Sequence, residues 1–352
     1  MVSKATWARV SVVAVAVAAS TTAWAERAPV VHASWADYMK ANRYTCPGPM
    51  DTLAAPRTVK LGGKTYKHTG SRLVIEGGDA DTKVKIGVLS AIKDASKGTR
   101  ANLAASFAWF REQGVEWVVT NGDLALEELD LEAVIDQLGE SGFPVLMVLG
   151  NSESKGSFAR AYGDREKKYP NLVNGTWVRE LVADDVAFWT VAGYHDRKFV
   201  HQGAGCHYKA EDVQALGVLA LPAQAPVVLV AHGPPLGKGK NALDWMSEGQ
   251  NVGDPLLTDL IRDKGIAFGL FGHILEAGGV VVGKDLTGAV KPGTAVPQLY
   301  LNAGSVAADP WPMNDGKRSR GLAFVVTLDA GKASYEVKRL SPPNDEPGAT
   351  IE

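Results

Sequence analysis

The stretch Val115-Glu116-Trp117-Val118-Val119-Thr120-Asn121-Gly122-Asp123 contains an apolar run, a polar turn with glycine, and an acidic residue. The run from Val115 to Val119 predicts a buried strand, because strands covered on both faces are nearly continuous in apolar residues. Four similar runs occur at Val84 to Leu89, Pro144 to Leu149, Val227 to Val230 and Ile266 to Phe271. The chain therefore contains at least five candidate strands of a buried sheet.

Helical periodicities separate these runs. The first carries Leu103, Phe107 and Phe110 and stops at Gly114. Two others carry apolar residues at 131, 134, 135 and 138, and at 256, 257, 260 and 261 before Gly265. After residue 279 only strand patterns occur, at 280–282, 298–302, 323–328 and 334–338. This order predicts an α/β fold with two sheets and helices outside them.

Four polar residues follow the ends of predicted strands: Asp123, Asn151, His232 and His273. Side chains at the carboxyl ends of strands in α/β folds converge on one edge, where ligands bind. A carboxylate, an amide oxygen and two imidazoles suit one divalent Zn, Fe or Mn ion. The alternative interpretation is that they only hold strand ends by hydrogen bonds.

These residues and their order resemble the calcineurin-like metallophosphoesterase superfamily, whose motifs run Asp-x-His, Gly-Asp, Gly-Asn-His, His and Gly-His-x-His. The resemblance extends from about Val84 to Arg339 and includes Asn302-Ala303-Gly304-Ser305. It implies a four-layer αββα sandwich with two mixed β-sheets flanked by helices, in a domain spanning 83–340 with a tail at 341–352. It also implies metal-dependent phosphoester hydrolysis, with two metals that share the Asp of the second motif.

The chain departs from this pattern at three motifs, which read Ser90-Ala91-Ile92-Lys93, Gly150-Asn151-Ser152-Glu153 and Gly272-His273-Ile274-Leu275. By the resemblance, Ala91, Lys93 and Leu275 replace every ligand that belongs to one metal alone. The ligands of the other metal are all retained, as Asp123, Asn151, His232 and His273. The sequence therefore predicts a site for one metal.

Lys93 stands two residues after Ala91 and would share its side of the strand if the pleat continued. We hypothesise that its ammonium replaces the missing cation as a partner for a phosphate oxygen. A solvated surface lysine is the alternative. The predicted catalytic residues are Asn151, Lys93 and His195, the last because it follows a strand-like run. Glu153 and Glu276 are further candidates for a substitute metal contact.

Ser152 stands where the family has a histidine that acts as an acid or charge stabiliser, and a hydroxyl cannot replace imidazole near neutral pH. The predicted function is metal-dependent phosphoester hydrolysis at a reduced site. The alternative is a catalytically inactive pseudo-phosphoesterase that binds phosphate or another ligand, or serves as a scaffold. A third interpretation is a purely structural relic.

The first 25 residues have the features of a secretory signal peptide. Lys4 and Arg9 precede the apolar run Val10 to Ala19, and Ala23-Trp24-Ala25 provides small residues for cleavage. A membrane anchor is the alternative, but about ten apolar residues are too short to span a bilayer. We expect a mature chain that begins at Glu26, is secreted or periplasmic, and has no membrane contact.

Residues 26–82 form an N-terminal extension rich in Pro, Gly and Lys, in which 58–66 predicts a β-hairpin with a Gly-Gly turn. In an oxidising compartment, Cys46 and Cys206 would form a disulfide, with two free buried thiols as the alternative.

The charges are nearly balanced, with 37 Lys and Arg against 39 Asp and Glu. Removing the signal peptide changes the net charge from -2 to -4, since Lys4 and Arg9 are lost. This provides no bulk attraction for nucleic acid. A phosphorylated small molecule or phosphoester remains the expected partner. The sequence indicates neither a protein partner nor an oligomeric state.

Overall fold

Two mixed β-sheets flanked by helices form the fold, which confirms the predicted architecture. The computed structural model describes residues 28–79, 81–201, 205–223 and 225–341. The predicted signal peptide and residues 342–352 of the predicted tail lie outside these ranges. Within the described ranges, no helix has the length and apolar character needed to cross a bilayer.

The N-terminal region, defined here as residues 28–75, contributes three strands to the larger sheet, while its first two strands form a small parallel sheet of their own. Its elements are β1 (Val31–His32), α1 (Trp35–Asn42), β2 (Thr52–Leu53), β3 (Arg57–Leu61), β4 (Lys64–His68) and β5 (Arg72–Ile75). β3 and β4 form the Gly-Gly hairpin, in which Gly62 and Gly63 have φ of 54° and 80°, a conformation that favours glycine. β5 then pairs with a strand of the main domain, so the extension is not a separate appendage.

The central part of the chain alternates strands and helices. These are β6 (Lys83–Leu89), α2 (Lys97–Gln113), β7 (Trp117–Asn121), α3 (Glu128–Glu140), β8 (Val145–Val148), α4 (Lys155–Arg165) and β9 (Leu172–Asn174). The helix α2 begins after the Ser96 cap, whose hydroxyl accepts the N–H of Thr99, and ends at Gly114 in the left-handed conformation. The predicted stop at Gly114 is therefore confirmed.

A second alternating segment and a strand-rich segment follow. The first contains β10 (Glu180–Val182), β11 (Ala187–Val191), α5 (Ala210–Gly217), β12 (Val227–Ala231), α6 (Pro255–Lys264) and β13 (Phe268–Phe271). The second contains β14 (Val281–Val282), β15 (Leu299–Asn302), β16 (Trp311–Pro312), β17 (Arg318–Ser319), β18 (Leu322–Asp329) and β19 (Lys332–Arg339).

The two sheets do not follow the order of the chain. One has the strand order β19-β18-β6-β7-β8-β9, and the other β14-β15-β13-β12-β11-β10-β5-β4-β3. The last two long strands thus return to the sheet of β6, where β18 pairs antiparallel with it. β6, β7, β8 and β9 are parallel, as are β11, β12, β13 and β15.

The strand β12 shows how the layers are held together, because its alternate residues enter different apolar clusters. Val228 and Val230 belong to the main core, which also contains residues of β6, β7 and β8. Leu229 and Ala231 pack in a second cluster with residues of α5 and α6. Burying each large aliphatic side chain contributes about 1.5–3 kcal/mol, which explains the uninterrupted apolar composition of such strands.

Cys46 and Cys206 form a disulfide, with their Cα atoms 5.6 Å apart and a sequence separation of 160 residues. Of the two interpretations left open by the sequence, the structure therefore has the paired one. The bond connects the N-terminal region to the segment before α5.

Candidate metal centre

Four polar residues at strand ends lie together between the two sheets. Asp123 and Asn151 follow β7 and β8 of the six-stranded sheet, whereas His232 and His273 follow β12 and β13 of the other. Hydrogen-bond or ion-pair distances link Asp123 to His232, His232 to Asn151, and Asn151 to His273. The structure thus brings all four predicted metal ligands together, and each sheet contributes two.

Asn151 and His232 face each other through atoms that both carry lone pairs. The Nδ2 of Asn151 donates to the carbonyl of Phe199, which leaves Oδ1 towards the site. The Nδ1 of His232 lies 2.6 Å from the carbonyl of Asn121, which can only accept, so Nδ1 is the protonated nitrogen of the neutral ring. Yet His232 Nε2 is 2.6 Å from Asn151 Oδ1. Two acceptors at this distance require a cation or a proton between or beside them.

His273 adds a third atom, the nitrogen Nδ1, to this group. Its Nδ1 lies 2.9 Å from Asn151 Oδ1 and 3.2 Å from His232 Nε2. Its ring packs against Tyr194, with the centroids 3.9 Å apart. Burial lowers the pKa of His232 and, even more strongly, that of His273, so both rings are neutral near pH 7. Neutral imidazoles with free lone pairs are the form that binds a metal.

Asp123 presents its two oxygens to different partners. Oδ1 accepts the N–H of Ser152 at 3.2 Å and lies 3.4 Å from His232 Nε2, whereas Oδ2 lies 3.7 Å from Lys93 Nζ. Burial would raise the pKa of Asp123, but the positive charges that His232, Lys93 and His273 carry at low pH outweigh it and hold the pKa at about 2. The donor set of carboxylate, amide oxygen and two neutral imidazoles fits one divalent cation.

The backbone of the site is strained where the ligands leave the strands. Ala91, Lys93, Asp123 and His273 have φ of 44°, 69°, 54° and 66°, and they are four of the seven non-glycine residues with positive φ in the described ranges. Each such residue costs about 1–3 kcal/mol and persists only where its surroundings fix it. The N–H groups of Ala91 and Lys93 donate to the carbonyls of Gly122 and Asp123, each at 2.9 Å.

This turn, and not a continued pleat, brings Lys93 to the site. The strand β6 ends at Leu89, and two left-handed residues follow within four positions. The reason given for the orientation of Lys93 from the sequence is therefore wrong. Its ammonium nevertheless lies beside Asp123, with the side chain 37% exposed.

The sequence profile of the calcineurin-like phosphoesterase family matches residues 80–277, more than half of the 352 residues. The chain belongs to this family. One similar solved structure has 15% identity and a TM-score of 0.51, covering 74% of this chain and 100% of its own. No curated protein matches the chain.

Two further similar structures have lower TM-scores. They are TT1561 of Thermus thermophilus (16% identity, 73% of this chain, 99% of its own, TM-score 0.48) and a dimetal phosphatase from Danio rerio (12%, 74%, 100%, 0.46). At these identities the likeness concerns the fold alone.

Two glycines of the family motifs allow the strand ends to approach each other. A Cβ on Gly122 would lie 2.6 Å from both the backbone of Gly150 and Nδ1 of His232. A Cβ on Gly150 would lie 2.2 Å from Oδ1 of Asp123. Neither distance is tolerated between real atoms, so the Gly-Asp and Gly-Asn pairs are required by packing as well as by chemistry.

In this member of the family, three of the four positions at which the sequence departs from the motifs, Ala91, Ser152 and Leu275, carry apolar or hydroxyl side chains. Ala91 and Leu275 are buried and offer no ligand atom, and Ser152 is only partly buried. The carbonyl of Ala91 accepts the Ser305 hydroxyl at 2.7 Å. Lys93 is thus the one charged side chain among the replaced positions.

The two glutamates considered as substitute ligands differ, because both oxygens of Glu153 accept backbone N–H groups, whereas Glu276 lines the cavity at the metal centre with one oxygen in hydrogen bonds. The carboxylate of Glu153 accepts the N–H groups of Leu124 and Gly150. Burial, and then the charge of Asp123, raises the pKa of Glu153 to about 8. The carboxylate of Glu276 accepts the N–H of Ser247 at 3.1 Å. Glu153 therefore connects the two segments that carry Asp123 and Asn151 by accepting one backbone N–H from each.

His195, predicted as catalytic, is not among the residues that line the cavity beside Lys93, Asp123 and His273. Its ring packs 4.5 Å from that of Tyr194 and 6.4 Å from that of Tyr208, and its carbonyl lies within hydrogen-bond distance of the His207 ring. Tyr194 stacks on His273, so His195 contacts the site through one intervening ring.

Residues missed by the sequence reasoning line the open side of the site. The cavity there has a volume of about 390 Å³, and its walls include Phe199, His201, Met246, Trp311 and Met313. These residues lie on loops and on the short β16, outside every motif. Trp311 is 40% exposed, and an exposed tryptophan is a signal that sequence alone cannot reveal.

Proposed function

We propose that this protein is an exported phosphoester hydrolase that works with one divalent metal. Asp123, Asn151, His232 and His273 would hold it. The observation that carries the proposal is the 2.6 Å approach of His232 Nε2 to Asn151 Oδ1, because both atoms are acceptors when Nδ1 of the neutral ring carries the proton. A cation is the natural partner for such converging lone pairs.

When bound, the metal would act as a Lewis acid on a phosphoryl oxygen and lower the pKa of a nearby water. The other functions fall to groups of the protein itself. Asn121 and Phe199 fix the ring of His232 and the amide of Asn151 through their carbonyls. Such oriented ligands need little reorganisation when substrate arrives.

Lys93 would take the place of the second cation of the family. Its ammonium lies at Oδ2 of Asp123, on the side opposite His232, and the partly exposed side chain can reach a phosphate oxygen in the cavity. Lysine supplies positive charge but no metal-activated water. Binding of phosphate should thus be better preserved than turnover.

The cavity favours phosphoesters with an apolar organic group. Trp311 lies near Lys93, with the ammonium 6.0 Å from the ring centroid, and Phe199 forms part of another wall. An aromatic or aliphatic leaving group would pack there while its phosphate faced Lys93 and Asp123.

A second candidate is a phosphate-binding protein without turnover. The observation that favours it is Ser152, which occupies the position of the family acid and whose N–H, at 3.2 Å, serves as a donor to Asp123. Loss of acid assistance costs about 10²- to 10⁴-fold in rate.

Elemental analysis of the purified mature protein tests the metal site. About one metal per chain is expected, and none would contradict both candidates. Turnover of p-nitrophenyl phosphate and bis(p-nitrophenyl) phosphate then separates them. A rate above the metal-free control supports the hydrolase, whereas saturable phosphate affinity with no turnover supports the binder.

Export is proposed from the sequence pattern of residues 1–25, and the paired cysteines support it, because disulfides persist in oxidising compartments. Sequencing the N-terminus of protein recovered outside the cytoplasm should give Glu26 as the first residue. Retention inside with residues 1–25 intact would contradict export.

A further inference from the structure

A second cavity, here called the N-terminal cavity, lies between the N-terminal region and the segment of α4 and β9. Its volume is about 380 Å³, within the range of small-molecule sites. Its apolar wall includes Trp35, Val59, Leu73, Tyr162, Leu172 and Trp177. None of its lining residues lines the cavity at the metal centre. The two are therefore separate sites.

Two hydrogen-bond donors in the lining of the N-terminal cavity have no acceptor. Asn174 is 3% exposed, and its Oδ1 accepts the N–H of Thr176 at 2.9 Å, which identifies the other atom as the donor Nδ2. Within the described residues, neither Nδ2 of Asn174 nor Nε1 of Trp35 has a partner. A buried donor left unpaired is destabilising. A ligand whose oxygen atoms accept from these donors would remove that penalty.

The charges around the cavity favour an electron-rich group. Arg57, Lys60 and Lys167 line it against the single carboxylate of Glu166. The Arg57 guanidinium lies 4.0 Å above the Trp35 ring and 3.3 Å from Glu166. His68 also lines the cavity, but burial lowers its pKa to about 4, so it stays neutral near pH 7. The excess of positive charge opposes a cationic ligand.

We infer that the N-terminal cavity binds an apolar molecule that ends in a carbonyl or carboxylate oxygen. Its apolar part packs between Trp35 and Trp177, and its oxygen accepts from Asn174 and Trp35. Trp35, Arg57, Val59 and Leu73 all precede residue 80, where the family match begins. One wall of the cavity is thus built by sequence outside the segment that matches the family.

The test begins with the full mature protein and the fluorescent dye 1-anilinonaphthalene-8-sulfonate, an apolar anion, as the probe. Saturable binding is expected, with displacement by decanoate or 2-decanone. The stronger competitor of these two identifies the oxygen group. Displacement by decyltrimethylammonium as strong as that by decanoate, or the absence of saturable binding, would overturn the inference.

Two variants locate the binding. Trp35→Phe removes the indole N–H but keeps an aromatic ring. It should weaken the affinity of the stronger competitor about 5-fold, which corresponds to the loss of one hydrogen bond. Val59→Trp, on a partly exposed strand, should fill the cavity and abolish displaceable binding.

The matched controls are Trp109→Phe, outside both cavities, and Trp311→Phe, in the cavity at the metal centre; both should keep wild-type affinity. Equal losses in Trp35→Phe and Trp109→Phe, or loss only in Trp311→Phe, would contradict the assignment. Melting temperatures measured in parallel identify any variant that fails to fold. If Trp35→Phe fails, the binding measured with Val59→Trp decides whether the inference holds.

Discussion

The two residue sets that the family resemblance distinguishes differ in what holds their side chains: a retained half, Asp123, Asn151, His232 and His273, and a replaced half, Ala91, Lys93 and Leu275. In the retained half, His232 and Asn151 are each tied to a backbone carbonyl, that of Asn121 at the end of β7 and that of Phe199 respectively. In the replaced half, Ala91 and Leu275 lie in the buried apolar interior. Only Lys93 remains polar and partly exposed there. The comparison teaches that the predicted ligands of the retained half are held by hydrogen bonds to the backbone, whereas two of the three positions of the replaced half lie in the apolar interior.

Removing the shared carboxylate should have the largest effect. Asp123→Asn keeps the shape of the side chain but loses its charge, so metal content should fall from about one per chain to near zero. The apparent affinity should fall by at least about 100-fold, since even outer partners of a ligand are worth 10- to 100-fold. Elemental analysis after dialysis gives the measurement. His195→Gln, outside the cavity, should keep its metal, and an Asp123→Asn protein that also kept it would refute the assignment.

Rebuilding the lost half should raise the metal content to about two per chain. The triple variant Ala91→Asp, Lys93→His, Leu275→His restores the family ligands, and the left-handed backbone at 91 tolerates Asp better than most residues. Leu275→His alone should remain at one metal. A folded triple variant with one metal would show that side-chain identity does not explain the difference between the halves.

Neutralising Lys93 should have a moderate effect on anion binding. Lys93→Ala should weaken the binding of inorganic phosphate about 5-fold, which is equivalent to about 1 kcal/mol for a partly exposed ion pair. Lys93→Arg retains the charge and should lose less. Isothermal titration calorimetry at low and high salt measures both, and the difference should shrink as salt screens it. Equal affinity of Lys93→Ala and wild type would mean that Lys93 is a solvated surface lysine.

The smallest expected effect is a pH dependence of stability in the metal-free protein. The folded-state pKa of Glu153 is raised to about 8, so folding favours its protonated form, and stability is lost as pH rises towards 8. The buried histidines have lowered pKa values and act in the opposite direction, but only below about pH 6.5. Between pH 7 and 8, the free energy of unfolding should therefore fall by about 1 kcal/mol.

Glu153→Gln provides the comparison, because it removes the titrating group while one oxygen still accepts a backbone N–H. Urea unfolding at pH 7.0 and 8.0 gives the slope of the free energy of unfolding against pH. This slope should be clear in wild type and smaller in Glu153→Gln. Equal slopes in the two proteins would exclude Glu153 as the origin.

The sequence predicted the fold and the convergence of Asp123, Asn151, His232 and His273, because both depend on local patterns. Apolar runs mark the buried strands, and a polar residue after Gly122 or Gly150 must lie at a strand end. The sequence could not supply the left-handed turn at Ala91 and Lys93, since non-glycine residues adopt it only when tertiary contacts fix it. Pairing of β18 with β6, across more than 230 residues, likewise depends on packing and leaves no local signal.

The side chains around the cavities were harder to predict for a related reason. Phe199, His201 and Trp311 come from loops and a short strand whose positions depend on the whole fold. His195 shows the opposite error, since it follows a strand-like run but faces Tyr194 and Tyr208. A position just after a strand end therefore indicates a residue of the site only when the backbone there turns towards the other sheet.

The disulfide between Cys46 and Cys206 has a consequence for a chain that is cut. Any single proteolytic cleavage between the two cysteines leaves both fragments in one covalent molecule until a reductant is added. A nicked protein would keep Trp35 and the rest of the N-terminal region attached to the part that carries His232 and His273. Electrophoresis of such a sample should show one band without reductant and two bands with it.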